Sequence, residues 1–157
     1  MPRQIEGDFR ADGRRFGIIA SRWNSIFAEQ LVSGAVDTLI RHGASDDDIT
    51  IVRCPGSFEL AQVAKRLLDK TELDAVICLG VLIRGGTPHF DYISAEATKG
   101  IGSLGMERCI PVAFGVITCD TLEQAIERSG SKAGNKGVEA AMAAIEMVNI
   151  YRAIDAL

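Results

Sequence analysis

Ala75-Val76-Ile77-Cys78-Leu79-Gly80-Val81-Leu82-Ile83 runs directly into Arg84-Gly85-Gly86-Thr87-Pro88-His89-Phe90-Asp91-Tyr92. An unbroken apolar run, with no polar alternation, describes a strand buried on both faces, and such strands belong to parallel sheets. It is far short of the roughly 20 apolar residues a membrane-spanning helix needs. The polar, glycine-rich run that follows marks the strand's carboxyl end. Three further short runs rich in Ile and Val also read as buried strands: Phe16–Ser21, Ile49–Arg53 and Pro111–Thr118.

Between these runs the apolar period changes to that of a helix. Phe27, Leu31, Val32, Ala35, Val36, Leu39 and Ile40 form one stripe, closed by Arg41-His42-Gly43 with a cation in the last turn and a C-cap glycine. A second helix is expected from about Ser57 to Asp69, facing inward through Leu60, Ala61, Ala64, Leu67 and Leu68. After Tyr92 the chain is rich in Gly, Ala and Ser. It reads as a helix whose small residues admit a neighbouring backbone, although its glycines weaken it. Thr121–Arg128 and a long stretch from about Lys136 to Ala156 complete the helices. The order β-α-β-α-β-α-β-α-α predicts one α/β domain with a parallel sheet covered on both sides.

At 157 residues the chain suits a single core, and 47% hydrophobic with 24% charged residues is ordinary globular composition. A net charge of −4 without a basic block argues against nucleic acid. No apolar secretory segment opens the chain, so a cytoplasmic location without membrane association is expected. Cys54, Cys78, Cys109 and Cys119 form no C-x-x-C pair and read as reduced, buried thiols. No metal-ligand spacing is present, and neither a metal nor a cofactor is expected.

Ligands of open parallel sheets bind beyond the carboxyl ends of the strands. Those ends carry Arg22-Trp23-Asn24, Pro55-Gly56-Ser57-Phe58-Glu59, the Arg84–Tyr92 run and Cys119-Asp120-Thr121. One composite site is the economical reading. Trp23 is either a partly buried anchor or a stacking surface for a heteroaromatic ring, with the Asn24 amide nearby. Helix capping alone would account for Ser57, but less well for Glu59. Arg84-Gly85-Gly86-Thr87 is a plain turn or an anion-binding nest. His89, two residues beyond it, is the candidate proton carrier, whereas His42 needs only its helix C-terminus as explanation. The stretch from Arg128 to Gly137 is ordinarily a flexible, solvated interhelix loop. Its Arg128 is the natural phosphate ligand if it is more than that.

The Leu79–Tyr92 segment, Phe114-Gly115-Val116-Ile117-Thr118 with Glu123–Arg128, and Lys132-Ala133-Gly134-Asn135-Lys136-Gly137 together resemble the lumazine synthase family, with spacings intact from about Ile5 to Ala153. The resemblance implies a flavodoxin-like three-layer sandwich with four parallel strands, as a single domain over 1–157. Residues 1–15 would be an arm that adds a strand to a neighbouring subunit. It implies condensation of 5-amino-6-(D-ribitylamino)uracil with 3,4-dihydroxy-2-butanone 4-phosphate, in sites between subunits of a homopentamer.

By the same resemblance Trp23, Asn24, Ser57, Phe58, Glu59, Val81, Leu82, Ile83, Phe114 and Lys136 serve the pyrimidine and ribityl side. Trp23 stacks where Phe is usual, Ser57 and Glu59 hold the ribityl chain, and Phe114 arrives from the adjacent subunit. Gly86, Thr87 and Arg128 bind phosphate, and His89 moves protons. Ser131 stands where Thr is common. The short Gly130–Asn135 connection resembles members that close twelve pentamers into a 60-subunit icosahedral shell, with riboflavin synthase as a potential cargo. The competing readings are a non-catalytic flavin or lumazine carrier, a shell protein, and a redox flavodoxin.

Overall fold

The computed structural model describes all 157 residues. Its elements are β1 (Phe16–Ser21), α1 (Ser25–Arg41), β2 (Ile49–Cys54), α2 (Leu60–Leu68), β3 (Ala75–Ile83), α3 (His89–Arg108), β4 (Val112–Cys119), α4 (Leu122–Arg128), β5 (Ser129–Ser131), β6 (Gly134–Asn135) and α5 (Lys136–Asp155). Strands β1 to β4 form one parallel sheet in the order β2-β1-β3-β4. The chain winds outward from β1 to β2, then returns to the other side of β1 for β3. Connections therefore leave the carboxyl ends of β1 and β3 in opposite directions and open a crevice between them.

The pleat sorts the core into two layers. Ala75, Ile77, Leu79 and Val81 of β3 join Phe16, Ile18 and Ala20 of β1 against Leu31 and Ala35 of α1 and Ala141 and Ile145 of α5. Val76, Cys78 and Ile19 point the other way, onto Leu60 and Ala64 of α2 and Ile101 and Leu104 of α3. Both central strands thus bury both faces, as their unbroken apolar sequence requires.

Helix α3 starts at His89 rather than after Tyr92, because Pro88 fits the helix entrance, where an N–H is dispensable. Its sparse stripe of Ala97, Ile101 and Leu104 suffices, since Gly100 lies so close to α2 that a Cβ there would sit 2.9 Å from the Ala61 methyl. The helix expected from Ser57 opens with a 3-10 turn at Ser57–Glu59 before α2. Strand β4 spans Val112–Cys119 rather than Pro111–Thr118. Pro111, without an N–H, still accepts a hydrogen bond from the Val76 N–H at 2.9 Å.

The segment after α4, read as a flexible connection, is instead a small antiparallel hairpin of β5 and β6. Asn135 anchors it: its Oδ1 accepts from the Gly137 and Val138 N–H groups at 2.8 and 3.2 Å, and its Nδ2 donates to the Gln30 carbonyl at 3.0 Å. Gly137 lies against the α1 backbone, where any Cβ would strike the Leu31 carbonyl. At the other end of α5, Asn149 Nδ2 donates to the carbonyls of Asp8 and Arg10 at 2.9 and 3.0 Å, laying this part of the N-terminal segment along the helix.

Candidate active site

The crevice at the sheet's carboxyl edge is a cleft of about 480 Å³ lined by Trp23, Asn24, Gly56, Ser57, Phe58, Glu59, Val81, Leu82, Ile83, His89 and Ile93. Nine residues singled out in the sequence therefore meet in one place. Trp23 also borders a second, shallower depression with Arg22, Ile26 and Pro55, so its indole stands as a wall between the two. In the isolated chain it is 73% exposed, which removes the buried-anchor explanation.

Local backbone geometry places that indole. The β1–β2 ladder continues one step past the strand ends, Arg22 N–H to the Cys54 carbonyl at 2.9 Å and Trp23 N–H to the Pro55 carbonyl at 3.3 Å. Asn24 then turns left-handed, at φ 57° and ψ 49°, and its Nδ2 crosses to the Val81 carbonyl at 2.9 Å. A left-handed non-glycine residue costs about 1–2 kcal/mol, which Asn tolerates best among the larger side chains. Gly56 completes the seat: a Cβ there would come within 3.1 Å of the Trp23 ring.

The second loop answers the capping question. Glu59 Oε2 accepts the Gly56 N–H at 3.1 Å, so Glu59 folds back over the loop and closes the turn. Ser57 caps nothing. Its hydroxyl is buried without a partner, as is that of Ser21, and both converge on Gly80, where a Cβ would lie 2.5 Å from Ser57 Oγ and 3.2 Å from Ser21 Oγ. Leaving such a group unpaired costs about 1–3 kcal/mol. Beneath this loop the Cys54 thiol is pushed up to about 11, first by burial and then by the Glu59 charge.

Toward His89 the cleft meets an open turn. The N–H groups of Gly85, Gly86 and Thr87 make no main-chain hydrogen bond, and a Cβ at Gly85 or Gly86 would touch nothing within 4 Å. Gly86 and Thr87, on this turn, are not among the cleft-lining residues, and their unpaired N–H groups are available to an anion. Beside the turn Arg84 donates from Nε to Asp120 and from a terminal nitrogen to Asp91, both at 2.9 Å, and lies over the Phe90 ring at 4.4 Å. These bonds, Asp120 first and Asp91 second, raise the guanidinium above its ordinary pKa.

Phe114, Arg128 and Lys136 do not line this cleft in their own chain. Phe114 is on β4, partly exposed, and Lys136 is 3.6 Å from Glu139 at the start of α5. Arg128 has a single side-chain hydrogen bond, to the Gln124 carbonyl at 3.3 Å, which leaves its guanidinium largely uncommitted. Ile93 escaped the sequence reading. It sits one helical turn beyond His89, so an α3 start at His89 would have put both on one face. No group of three His, Cys, Asp or Glu residues is arranged to hold a metal ion.

Residues 13–152 match the family model described as 6,7-dimethyl-8-ribityllumazine synthase. The chain is 55% identical over 150 residues to a protein of that name from Chlorobaculum tepidum, covering 96% of this chain and 97% of the relative. It is 58% identical over 150 residues to one from Chlorobium phaeobacteroides, with 96% and 97% covered. A family model spanning the whole fold, and relatives above half identity from end to end, leave one placement: the chain belongs to the 6,7-dimethyl-8-ribityllumazine synthase family.

Proposed function

We propose that the protein condenses 5-amino-6-(D-ribitylamino)uracil with 3,4-dihydroxy-2-butanone 4-phosphate to 6,7-dimethyl-8-ribityllumazine, the penultimate step of riboflavin biosynthesis. The observation that carries this is the cleft itself, which in a member of this family brings an exposed indole, a carboxylate and a histidine together beside a turn with three unpaired main-chain N–H groups. The pyrimidine stacks on Trp23, and the main chain of Val81–Ile83 pairs with its edge. Asn24 keeps Oδ1 free to accept a hydrogen bond, and Phe58 flanks the ribityl chain. That chain is held by Ser57, whose hydroxyl turns outward from Gly80 to meet it, and donates to the second Glu59 oxygen. Gly86 and Thr87 hold the phosphate.

The pyrimidine amine adds to the ketone and loses water as an imine forms. Elimination then expels phosphate, and the second nitrogen closes the ring with loss of another water. His89, at the boundary between the stacking surface and that turn, carries protons between nitrogen, carbon and the departing oxygen. Holding two reactants in register supplies the larger part of the rate, and proton transfer the smaller.

The site is completed by a second copy of the chain, which supplies Phe114, Lys136 and the uncommitted Arg128 in a homopentamer. Their position outside the cleft of their own chain supports this. Twelve such rings closing as a 60-subunit shell, with riboflavin synthase as cargo, is the further assembly we favour, since the Gly130–Asn135 connection is short. The 1–15 segment belongs to the single domain as an arm. It adds a strand at a neighbour's sheet edge, where β2 has a free side and Ile51 is 41% exposed. Cys54, Cys78 and Cys119 are buried as expected, whereas Cys109 is exposed at the end of α3; all four are free, which suits a cytoplasmic location, and no helix is long and apolar enough to cross a membrane.

The test mixes the purified protein with both substrates and follows lumazine fluorescence and phosphate release against a protein-free control. Acceleration that falls in His89→Ala and Arg128→Ala variants supports the assignment. A folded, assembled protein that binds the pyrimidine without accelerating its condensation would be a carrier instead. Light scattering that finds only pentamer-sized particles across pH and phosphate concentration would remove the shell. Co-purification of riboflavin synthase tests the cargo.

A further inference from the structure

Two arginines bear on the proposed phosphate site, Arg84 beside the Gly85–Thr87 turn and Arg128 from the second copy, and they are in opposite electrostatic states. Arg128 has no carboxylate bonded to it, whereas Arg84 is bonded to two. Two carboxylates against one guanidinium leave the Arg84 cluster net negative. A phosphate monoester gains little from a cation already shared in this way.

The geometry of Arg84 serves another purpose. Its main-chain N–H donates to the Cys119 carbonyl at 2.9 Å, holding the end of β3 to the end of β4. Its Nε reaches Asp120, just past β4, and its terminal nitrogen reaches Asp91, in the first turn of α3. The planar group lies on Phe90, the residue after His89. Gly85, Gly86 and Thr87 make no side-chain or main-chain hydrogen bond that would fix the turn from within. Its shape is therefore set at its two ends, and Arg84 joins both.

We propose that Arg84 is a positioning residue for the phosphate-bearing substrate: it holds the Gly85–Thr87 turn and the His89 end of α3 in register without lending charge to the anion. This rests on the function proposed above. A planar fork can donate in two fixed directions at once, and a lysine ammonium, as a point charge, cannot reproduce that. Arg84 thus acts through geometry, and Arg128 supplies the charge.

The experiment compares wild type, Arg84→Ala and Arg84→Lys in the assembled state, checked by light scattering. Steady-state kinetics gives KM for each substrate, and calorimetry gives the affinity for inorganic phosphate. Misplacing a binding group by a fraction of an ångström to an ångström predicts a loss of roughly ten- to a hundredfold. Arg84→Ala should raise KM for the ketone phosphate and weaken phosphate binding on that scale, while KM for the pyrimidine stays within about twofold. Arg84→Lys should remain impaired several-fold despite its charge. The proposal is overturned if the lysine variant matches wild type, since charge alone would then suffice. It is also overturned if the alanine variant binds phosphate normally, or loses assembly with both KM values rising together. If wild type shows no turnover, the proposed function fails, but phosphate binding still decides the role of Arg84. Wild type that binds no phosphate overturns both.

Discussion

Replacing Gly137 by alanine should loosen the α1–α5 contact by an amount the geometry bounds. A Cβ at 137 would lie 2.7 Å from the Leu31 carbonyl carbon and 2.8 Å from its Cα, and closer still to the carbonyl oxygen. These are main-chain atoms inside a helix, so neither side can turn away as a flexible side chain would. The helices must separate by about 1 Å, and overpacking of this kind costs about 1–3 kcal/mol or somewhat more. Alanine's better helix propensity returns at most about 1 kcal/mol, and less in a first turn. Separation also stretches the Asn135 bonds to Gln30, Gly137 and Val138. A lost N-cap costs about 0.5–2 kcal/mol. The sum is a net loss of about 2–3 kcal/mol, which in a chain of this size lowers Tm by roughly 4–12 °C. Thermal unfolding followed by circular dichroism at one protein concentration reads this directly, the concentration being held because assembly raises apparent stability. A Gly137→Ala variant as stable as wild type, or more so, would show that the helices can part freely and that the close approach is incidental.

Three other outcomes follow from the site and core. His89→Ala should lower kcat by about two orders of magnitude without abolishing it, since general acid–base transfer contributes roughly 10²–10⁴-fold; single-turnover fluorescence checks this, and a dead variant that still binds both substrates would reverse the ranking of proton transfer below positioning. Asn24→Ala adds the left-handed penalty to the loss of the Val81 bond and should cost about 2 kcal/mol, with Asn24→Gly recovering about half; urea unfolding monitored by the single tryptophan separates the two. Burial holds the Cys78 thiol up at about 12 and Cys54 at about 11, against an ordinary value of 9.0. Raised folded pKa values mean that this contribution is intact below about pH 9 and is lost as pH climbs toward 11–12. Stability should therefore fall on the alkaline side, less steeply in Cys78→Ala, and equal slopes in the two proteins would contradict it.

How much of this was legible from sequence depends on where the information resides. The central strands announced themselves because Phe16–Ala20 and Ala75–Val81 are buried on both faces and carry no polar residue that would blur the pattern. Most of the cleft's lining followed, since a parallel sheet gathers its loops at one edge. What stayed hidden depends on contacts that periodicity does not encode. The β5–β6 hairpin has no hydrophobic alternation; it forms around Gly130 and Gly134 at φ 118° and 82° and the reach of Asn135. Ser57 looked like a cap because its place before a helix is that of a cap, yet Glu59 takes that task and frees the hydroxyl. Arg84 looked like part of a turn. Only the folded chain reveals that Asp91 and Asp120, 29 residues apart in sequence, both meet it.

The separation of Phe114, Arg128 and Lys136 from the cleft of their own chain carries a genetic consequence under the proposed ring. A subunit lacking His89 still offers an intact Arg128 to its neighbour, and one lacking Arg128 still offers an intact His89. Two impaired alleles expressed together would then rebuild wild-type sites wherever the subunits alternate in the productive order, at about a quarter of the junctions for random equal mixing around a cyclic ring. Such interallelic complementation would appear as activity well above the average of the two parents. It would vanish if both lesions were placed in the same chain.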